Sequence, residues 1–385
     1  MIKIQTLNNI SPVGLDKLPR DGYEVASEMS DPDAILVRSA KMHDMDISGN
    51  LKAVGRAGAG VNNIPLDKMS DKGVVVFNAP GANANAVKEL VISSMLLASR
   101  NICQAWNYVK GLPLDNLKTA VEDGKKNYAG SELPGKTLGI VGLGAIGVQI
   151  ANAAHALGMN VIGFDPSITI KSAWKLSSGV QQAISVDELF SQSDFVSFHV
   201  PLVESTKNLL NEERIELLPD GATILNFARD GIIDEDALIA ALDSGKVKYY
   251  VTDFPIDDKK NHDRVIALPH LGASTAEAED NCAIMVVNQV KDYIENGNII
   301  NSVNFPEVVM PRAGKERVAI THKNVPNMVG QISTAIADSG ANIVDMLNKS
   351  KDNVAYTLVD LESEISDTVI DNLKQVEGIL TVRGL

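Results

Sequence analysis

The chain has 385 residues, of which 45% are hydrophobic and 22% charged, and its formal net charge is −14. This length predicts two or three domains with sizeable cores, and the acidic balance argues against nucleic acid or an anionic bilayer as a partner. We expect no secretory signal and no membrane span, because the N-terminus lacks a long apolar run before a cleavage site and no stretch reaches about 18 apolar residues. Only Cys103 and Cys282 are cysteines, outside any metal-ligand spacing, so we expect a cytoplasmic protein without a metal site.

The N-terminal part alternates short β-rich runs with polar or helical stretches: IKIQTL, YEVAS, AILVRS, KAVGRAG and VVVFNAP. This alternation predicts a parallel sheet with crossover helices. A long helical stretch is expected from Ala84 to Asn107. A second β/α series then runs from TLGIVGLG to RVIALPH. The strands VVVF and TLGIV are apolar on both faces, as in sheets that helices cover on both sides.

After a further helix over Ser274 to Asn296 and a Pro-rich segment at 302–315, the pattern becomes β-α-β-β-α-β, which is typical of a ferredoxin-like sandwich. The predicted fold class is therefore α/β, with two doubly wound parallel-sheet, Rossmann-like domains and a C-terminal ferredoxin-like domain. The predicted boundaries are 1–95 with 275–305, 96–274, and 316–385.

A glycine-rich turn, GLGAIG at 142–147, follows an apolar strand and opens a helix. Gly142 permits the tight turn, Gly144 lets a pyrophosphate approach the backbone, and Gly147 lets helix and strand pack closely. The phosphates would bind at the helix N-terminus. Asp165 ends the next strand, at the sequence spacing that is usual for a carboxylate that accepts the ribose hydroxyls. Its negative charge would repel the 2′-phosphate of NADP, which favours NAD. The alternative is a glycine-rich turn beside a surface carboxylate.

Three later strand ends carry His199, Arg229 and His270. In a doubly wound sheet the carboxyl ends of the strands form the ligand crevice, so all three would face the cofactor. His270 can take a hydroxyl proton and Arg229 can bind a carboxylate, whereas His199 suits a cofactor contact better than catalysis. Each residue alone could be purely structural. The carboxylates that could partner His270 are Asp253, Asp257 and Asp258.

The motifs VGLGAIG, FDP, HVPL, NFARDG and PHLGAST together resemble the D-isomer-specific 2-hydroxyacid dehydrogenases. VRSA, VGRAGAGVNNI and GKTLGIVGLG are similar, more narrowly, to the branch of that family that oxidises 3-phosphoglycerate. THKNVPNMVGQI resembles an ACT domain, a module that binds amino acids. The resemblance implies NAD-dependent oxidation of 3-phospho-D-glycerate to 3-phosphohydroxypyruvate, the first step of L-serine biosynthesis. The Ala84–Asn107 helix and the ACT unit both indicate at least a dimer, so we expect a homodimer or homotetramer.

The resemblance assigns the first predicted domain to a small anionic substrate, the second to NAD and the third to regulation by serine. It makes Arg229 the residue that holds the substrate carboxylate, His270 the acid/base, and Asp258 the replacement for a family Glu. The implied cofactor contacts are Gly142, Gly144, Ala145, Ile146, Gly147, Asp165, His199, Pro201, Ala228 and Asp253. The implied substrate contacts are Arg38, Arg56, Gly58 and Asn83. The implied regulatory residues are His322, Asn324 and Asn342.

The sequence departs from the family pattern at four places. Ala145 stands where Arg is frequent, Asp230 and Asn327 stand where Gly is usual, and Asp258 is one methylene shorter than Glu. Other functions therefore remain open: a hydroxypyruvate, glycerate or lactate dehydrogenase, a non-catalytic dinucleotide-sensing scaffold, or an amino-acid sensor with vestigial chemistry. The Arg229/His270 pair favours an enzyme, and an ACT unit suits the first step of a pathway.

Overall fold

The computed structural model describes residues 1–255, 262–364 and 367–385. The chain forms two compact units. The first comprises Met1–Ala82 with Ala276–Leu385, and the second comprises Asn83–Thr275. Among the described residues, no helix combines the length and apolar character needed to cross a membrane.

The strands are β1 (Ile2–Leu7), β2 (Tyr23–Ala26), β3 (Ala34–Val37), β4 (Ala53–Arg56), β5 (Val75–Phe77), β6 (Thr137–Val141), β7 (Asn160–Phe164), β8 (Gln181–Gln182), β9 (Phe195–Phe198), β10 (Ala222–Asn226), β11 (Val247–Thr252), β12 (Val265–Ala267), β13 (Glu316–Lys323), β14 (Ile343–Lys351), β15 (Val354–Leu361) and β16 (Ile379–Gly384).

The helices are α1 (Pro12–Leu15), α2 (Leu66–Asp71), α3 (Ala84–Ser99), α4 (Ile102–Gly111), α5 (Leu117–Gly124), α6 (Ala145–Ala156), α7 (Ile170–Ala173), α8 (Val186–Gln192), α9 (Glu212–Leu217), α10 (Glu235–Ser244), α11 (Ala276–Asn296), α12 (Met328–Asp338) and α13 (Asp367–Lys374), with a 3-10 helix at Lys125–Tyr128.

The first unit contains a five-stranded parallel sheet in the order β2-β1-β3-β4-β5. Helix α11 packs closely on this sheet. A Cβ atom at Gly55 of β4 would lie 2.7 Å from a methyl of Val286 and 2.9 Å from one of Val290. Side chains of α11 are therefore part of the core of the sheet, even though the helix follows it by about two hundred residues of chain.

The C-terminal part of the same unit is a four-stranded antiparallel sheet in the order β14-β15-β13-β16, with α12 and α13 in the β-α-β-β-α-β order. One face, with Val318 and Ile320, packs with side chains of both helices. The other face, with Tyr356 and Leu358, belongs to the core that α11 shares with the parallel sheet. The predicted fold class is confirmed.

A buried ion pair stabilises this arrangement. Arg317 is 1% exposed, and it donates from Nε to Asp360 Oδ1 at 2.6 Å and from Nη2 to Oδ2 at 2.9 Å. Arg317 Nη1 donates to the carbonyls of Asn296 and Met310, each at 2.9 Å. Burial by itself would raise the pKa of Asp360, but the Arg317 guanidinium and the Ala313 N–H outweigh it and hold that pKa below its ordinary value. The pair fastens β13 and β15 to the end of α11.

The second unit contains a seven-stranded parallel sheet in the order β12-β11-β10-β9-β6-β7-β8. Apolar clusters cover both faces, one including Val141, Phe198 and Ile224, and the other including Ile140 and Leu225. Since all the strands are parallel, their carboxyl ends meet at one edge of the sheet.

The helix expected from Ala84 to Asn107 is two helices, and the expectation of one is wrong. Helix α3 ends at Ser99 and α4 begins at Ile102, because Asn101 takes a left-handed conformation with φ 51°. Asn tolerates that conformation better than most residues. Its side chain stabilises the break, since Nδ2 donates to Ala129 O at 3.2 Å and Oδ1 accepts from Tyr249 Oη at 2.8 Å.

Candidate active site

The glycine-rich turn joins β6 to α6. Gly142 has φ 95°, and a Cβ there would lie 2.6 Å from His199 O. A Cβ at Gly147 would lie only 2.0 Å from Gly142 O, so the approach of helix to strand requires glycine at both positions. At Gly144, by contrast, a Cβ would meet no atom within 4 Å. The absent side chain at Gly144 therefore leaves open space before the first turn of α6.

This open space suits a diphosphate. Among the described residues no side chain caps the N-terminus of α6, so the N–H groups of its first turn, which begins with Ala145 and Ile146, can receive an anion. Asp165, just after β7, accepts from Leu143 N–H at 2.8 Å through Oδ2 and from Ser167 N–H at 2.9 Å through Oδ1. Its carboxylate is thus held beside the turn, where it can accept the ribose hydroxyls of NAD.

His199 follows β9 at the same edge of the sheet. Its N–H donates to Val141 O at 2.8 Å, and its Nε2 lies 2.8 Å from Ser197 Oγ. Burial lowers the pKa of His199 to about 3, so the imidazole is neutral near pH 7 and contributes no charge to the site. Pro201, two residues further along, is exposed, and its carbonyl accepts from Thr206 Oγ1 at 2.6 Å.

Arg229 lies on the turn after β10. Asn226, which is 2% exposed, shapes this turn: its Nδ2 donates to Arg229 O at 2.9 Å and its Oδ1 accepts from Ala228 N–H at 3.2 Å. The Arg229 side chain is exposed, and its Nη1 donates to Ala228 O at 2.6 Å. Buried Asn226 therefore fixes the backbone from which an accessible guanidinium projects.

Asp253 and His270 lie on the loops after β11 and β12. Asp253 is 2% exposed; its Oδ2 accepts from Gly272 N–H at 3.1 Å, while Oδ1 is buried without a hydrogen-bond partner among the described residues. Burial raises the pKa of Asp253, and the Gly272 N–H and the charge of His270 oppose that rise. An unpaired buried acceptor is costly, so Oδ1 fits a donor such as the carboxamide NH₂ of a nicotinamide.

The His270 imidazole packs on Phe254, with 4.7 Å between ring centroids and an interplanar angle of 53°. Its own side chain is exposed, so the ring is supported on one side and accessible to a ligand. Asp257 and Asp258, the two remaining candidates for its carboxylate partner, lie outside the described residues.

Sequence reasoning missed three residues that shape this edge: Asn226, Thr252 and Phe254. Thr252 Oγ1 donates to Asn226 O and accepts from Phe254 N–H, both at 2.9 Å, so it ties the ends of β10 and β11 together. In the sequence, only their position could have indicated these residues. Each is a polar or aromatic residue near the end of a strand that is followed by a predicted site residue.

In the first unit, the structure brings together three of the predicted substrate residues. Arg38 follows β3 and Arg56 ends the neighbouring β4, and Arg56 Nε donates to Arg38 O at 3.0 Å. Gly58 has φ 154°, and a Cβ there would lie 1.8 Å from Arg56 Nη1, so only glycine lets the guanidinium occupy that position. Asn83, the fourth, belongs to the second unit and caps α3 through its backbone.

The three predicted regulatory residues are not brought together within one chain. His322 is 1% exposed, and its ring nitrogens lie 2.9 Å from Lys323 O and from Thr357 Oγ1. Asn324 Nδ2 donates to Asp352 O at 2.9 Å. His322 pairs with Ala355 of β15, whereas Ile343, next to Asn342, pairs with Leu361. Asn342 therefore lies at the opposite end of β15, about 20 Å away at the usual rise per residue.

Residues 92–272 match the NAD binding domain of D-isomer specific 2-hydroxyacid dehydrogenases. The chain is 34% identical to a Haemophilus influenzae D-3-phosphoglycerate dehydrogenase over 99% of its own length and 94% of the relative's. It is 37% identical to the Methanocaldococcus jannaschii D-3-phosphoglycerate dehydrogenase over 84% of its own length, but spans only 61% of that relative. A crystal structure of NAD+-bound 3-phosphoglycerate dehydrogenase from Entamoeba histolytica is similar at a TM-score of 0.62 and 29% identity, over 79% of this chain and 98% of that one.

Two glycine substitutions separate the cofactor role of the turn from its structural role. Gly144→Val should keep the free energy of unfolding within about 0.5 kcal/mol, because the new side chain enters open space. It should nevertheless weaken NADH binding at least tenfold, since it blocks approach to the α6 N-terminus. Gly147→Ala should lower the stability, because its Cβ collides with Gly142 O. Urea unfolding and NADH fluorescence titration measure both quantities, and unaltered NADH affinity in Gly144→Val would contradict the assignment.

Proposed function

The chain belongs to the D-isomer specific 2-hydroxyacid dehydrogenases and is an NAD-dependent oxidoreductase, and we propose that it oxidises 3-phospho-D-glycerate to 3-phosphohydroxypyruvate, the first step of L-serine synthesis. The observation that carries the proposal is the meeting, at one sheet edge, of the glycine-rich turn, the Arg229 turn and the Asp253–His270 loops. The names of the relatives from H. influenzae and M. jannaschii support the choice of substrate.

The second unit would hold the cofactor through its own backbone and carboxylates. N–H groups at the start of α6 would bind the diphosphate, Asp165 would accept the ribose hydroxyls, and Asp253 Oδ1 would accept from the carboxamide. When bound, NAD supplies the acceptor for the hydride that leaves C2 of the substrate.

Arg229 and His270 would act on the substrate. The Arg229 guanidinium can bind the carboxylate through two parallel bonds, and its charge stabilises the oxygen on C2 while that oxygen changes from hydroxyl to carbonyl. His270 would accept the hydroxyl proton as the hydride departs, so that the C2–H and O–H bonds break and a C=O bond forms. Phe254 fixes the plane of the imidazole. We retain Asp258 as its proposed carboxylate partner, with Asp257 as the second choice.

In the first unit, we propose that Arg38 and Arg56 bind an anionic group of the substrate beside the Gly58 backbone. Their adjacent positions at the ends of β3 and β4 place two guanidinium groups within one small region, which suits a phosphoryl group. We propose Asn83 as a further substrate contact.

The choice of substrate is tested by following NADH oxidation with 3-phosphohydroxypyruvate, hydroxypyruvate, glyoxylate and pyruvate. The phosphorylated substrate should have a kcat/KM at least about tenfold above the others, because a charged hydrogen bond contributes about 1.5–3 kcal/mol and each 1.4 kcal/mol is about tenfold. Equal values for hydroxypyruvate would instead favour a hydroxypyruvate dehydrogenase. NADH binding with no turnover of any of the four would favour the scaffold.

The catalytic roles are tested by substitution. His270→Ala should lower kcat about 10²- to 10⁴-fold, which is the usual contribution of a general acid–base group. Arg229→Ala should lower kcat and raise KM together. His262→Ala is a matched control, since His262 pairs with Asp243 near the protein surface. Normal turnover by the His270 variant would refute the base assignment.

The identity of the carboxylate partner is tested in the same assay. If the Asp258 carboxylate stabilises the protonated imidazole of His270, Asp258→Asn should shift the pH dependence of kcat and Asp257→Asn should not. The reverse result would exchange the two roles.

We propose a homodimer or homotetramer that binds serine at its C-terminal domains. One copy holds His322 and Asn342 at opposite ends of β15, so a serine site that includes both ends of the sheet needs a second copy. Because His322 is buried, we propose that it supports the serine site from below, whereas Asn324 would contact the ligand. Helix α4 also exposes Ile102, Trp106 and Val109, at 44%, 61% and 45%, an apolar face that suits contact between copies.

The oligomer and serine proposals are tested together. Sedimentation velocity should give a dimer or tetramer, and serine should slow NADH oxidation. Asn324→Ala and Asn342→Ala should each remove that effect, although the two side chains lie far apart in one chain. A monomer, or a rate independent of serine, would leave the C-terminal domain as a module without this ligand and would refute the regulatory proposal.

We also propose a cytoplasmic location. Cys103 and Cys282 are both free thiols, which suits a reducing compartment.

A further inference from the structure

The first turns of α11 bring a carboxylate to the ends of β3 and β4. Glu279 Oε1 lies 2.7 Å from Arg38 Nη2, and the two side chains are 44% and 34% exposed. Arg38 is thus held by an acidic residue that lies far from it in sequence but in the same compact unit. Because both groups remain partly exposed, a ligand from solvent can reach the guanidinium without unfolding any element.

Arg56 belongs to the same cluster. Its Nε donates to Arg38 O at 3.0 Å, and its Nη1 lies over Gly58. Cys282, three residues beyond Glu279 on α11, lies within range of all three charges. Burial raises the pKa of its thiol, the Arg56 and Arg38 guanidinium groups oppose that rise, and Glu279 adds to it. Among the described residues, Arg38, Arg56 and Glu279 therefore place two cations and one anion near Cys282 at this end of the sheet.

We propose that Glu279 is a positioning residue that limits how strongly the chain prefers substrates with an anionic distal group. This inference rests on the proposed role of Arg38 and Arg56 in binding the substrate phosphate. The ion pair with Glu279 holds the Arg38 guanidinium in one orientation, and the Glu279 charge lowers the affinity of the same guanidinium for a second anion. The Glu279 carboxylate therefore weakens the preference of Arg38 for an anionic distal group.

The charge balance gives the direction of the effect. Two guanidinium groups and one carboxylate carry a net charge of +1, and a phosphate ester carries about −1.5 to −2 near pH 7. Substrate binding therefore leaves the cluster negative. Replacing Glu279 by Gln raises the cluster to +2, which a dianion balances, and the Gln side chain keeps nearly the same shape beside Arg38 Nη2. The uncharged distal hydroxyl of hydroxypyruvate gains nothing from this change.

The two neighbouring acidic residues on α11, Glu279 and Asp280, have different partners. The neighbouring Asp280 accepts a hydrogen bond from Ser11 Oγ instead, at 2.5 Å. Asp280 carries the same charge one residue away, but it accepts its described hydrogen bond from a hydroxyl group. Asp280→Asn is therefore a matched control for the loss of one negative charge from α11.

Steady-state reduction with NADH tests the proposal. Glu279→Gln should lower the KM for 3-phosphohydroxypyruvate about three- to fivefold, the upper part of the range expected for a partly exposed charge. The ratio of the KM for hydroxypyruvate to that for 3-phosphohydroxypyruvate should rise by a similar factor. Glu279→Ala should have a higher KM for the phosphorylated substrate than Glu279→Gln, because it removes the side chain that lies against Arg38 Nη2 and positions it. Asp280→Asn should leave the ratio within about twofold.

A direct binding measurement separates failure of this inference from failure of the proposed substrate. Calorimetric titration with inorganic phosphate should give tighter binding to Glu279→Gln than to the wild-type chain, and much weaker binding to Arg38→Ala. If the wild-type chain binds phosphate but does not reduce 3-phosphohydroxypyruvate, the proposed function fails while the role of Glu279 stands. An unchanged KM ratio together with unchanged phosphate affinity in Glu279→Gln overturns the inference.

Discussion

Parallel strand pairing in the second unit is the constraint on which the candidate active site depends. Because every strand of the seven-stranded sheet runs in the same direction, the turns after β6, β7, β9, β10, β11 and β12 meet at one edge. Residues that are far apart in sequence thereby become neighbours without any special loop. The polar groups at this edge are further fixed by short-range hydrogen bonds, such as those of Asn226 and Thr252, so the accessible Arg229 and His270 side chains project from well-defined turns.

In the first unit, the two ends of one helix, α11, make two separate sets of contacts. The start of α11 presents Glu279 to Arg38, and its end is joined to the antiparallel sheet by Arg317 and by Tyr356 Oη, which donates to Gly297 O at 2.6 Å. A buried, bidentate ion pair such as Arg317–Asp360 tolerates little movement, because loss of either partner leaves an uncompensated charge. The C-terminal domain is consequently part of the same core as the parallel sheet.

The sequence alone was sufficient for features that depend on local pattern. The β-α-β-β-α-β order follows from periodicity, and the structural roles of Gly142 and Gly147 follow from backbone geometry. The structure has that order and needs glycine at both positions. The fold class and the NAD dependence are confirmed. The break at Asn101 was missed because its left-handed conformation is stabilised by Ala129 and Tyr249, which are distant in sequence.

Tertiary contacts explain the other residues that sequence reasoning could not place. The packing of Phe254 on His270 and the pairing of Glu279 with Arg38 join segments whose proximity no periodic pattern reveals. The same holds for the enclosure of His322, whose neighbour Thr357 lies on another strand. In each case residue type indicated a chemical capability, but the partner that modifies it comes from a different element.

The central claim is that the chain transfers a hydride between the nicotinamide and C2 of 3-phosphoglycerate. It is tested most directly by incubating the enzyme with 3-phosphohydroxypyruvate and NADH that carries deuterium at both positions of C4 of the nicotinamide ring. Mass spectrometry and NMR of the product should show D-3-phosphoglycerate with one deuterium at C2. A product without deuterium at C2, or no product while NADH binds normally, would contradict the account.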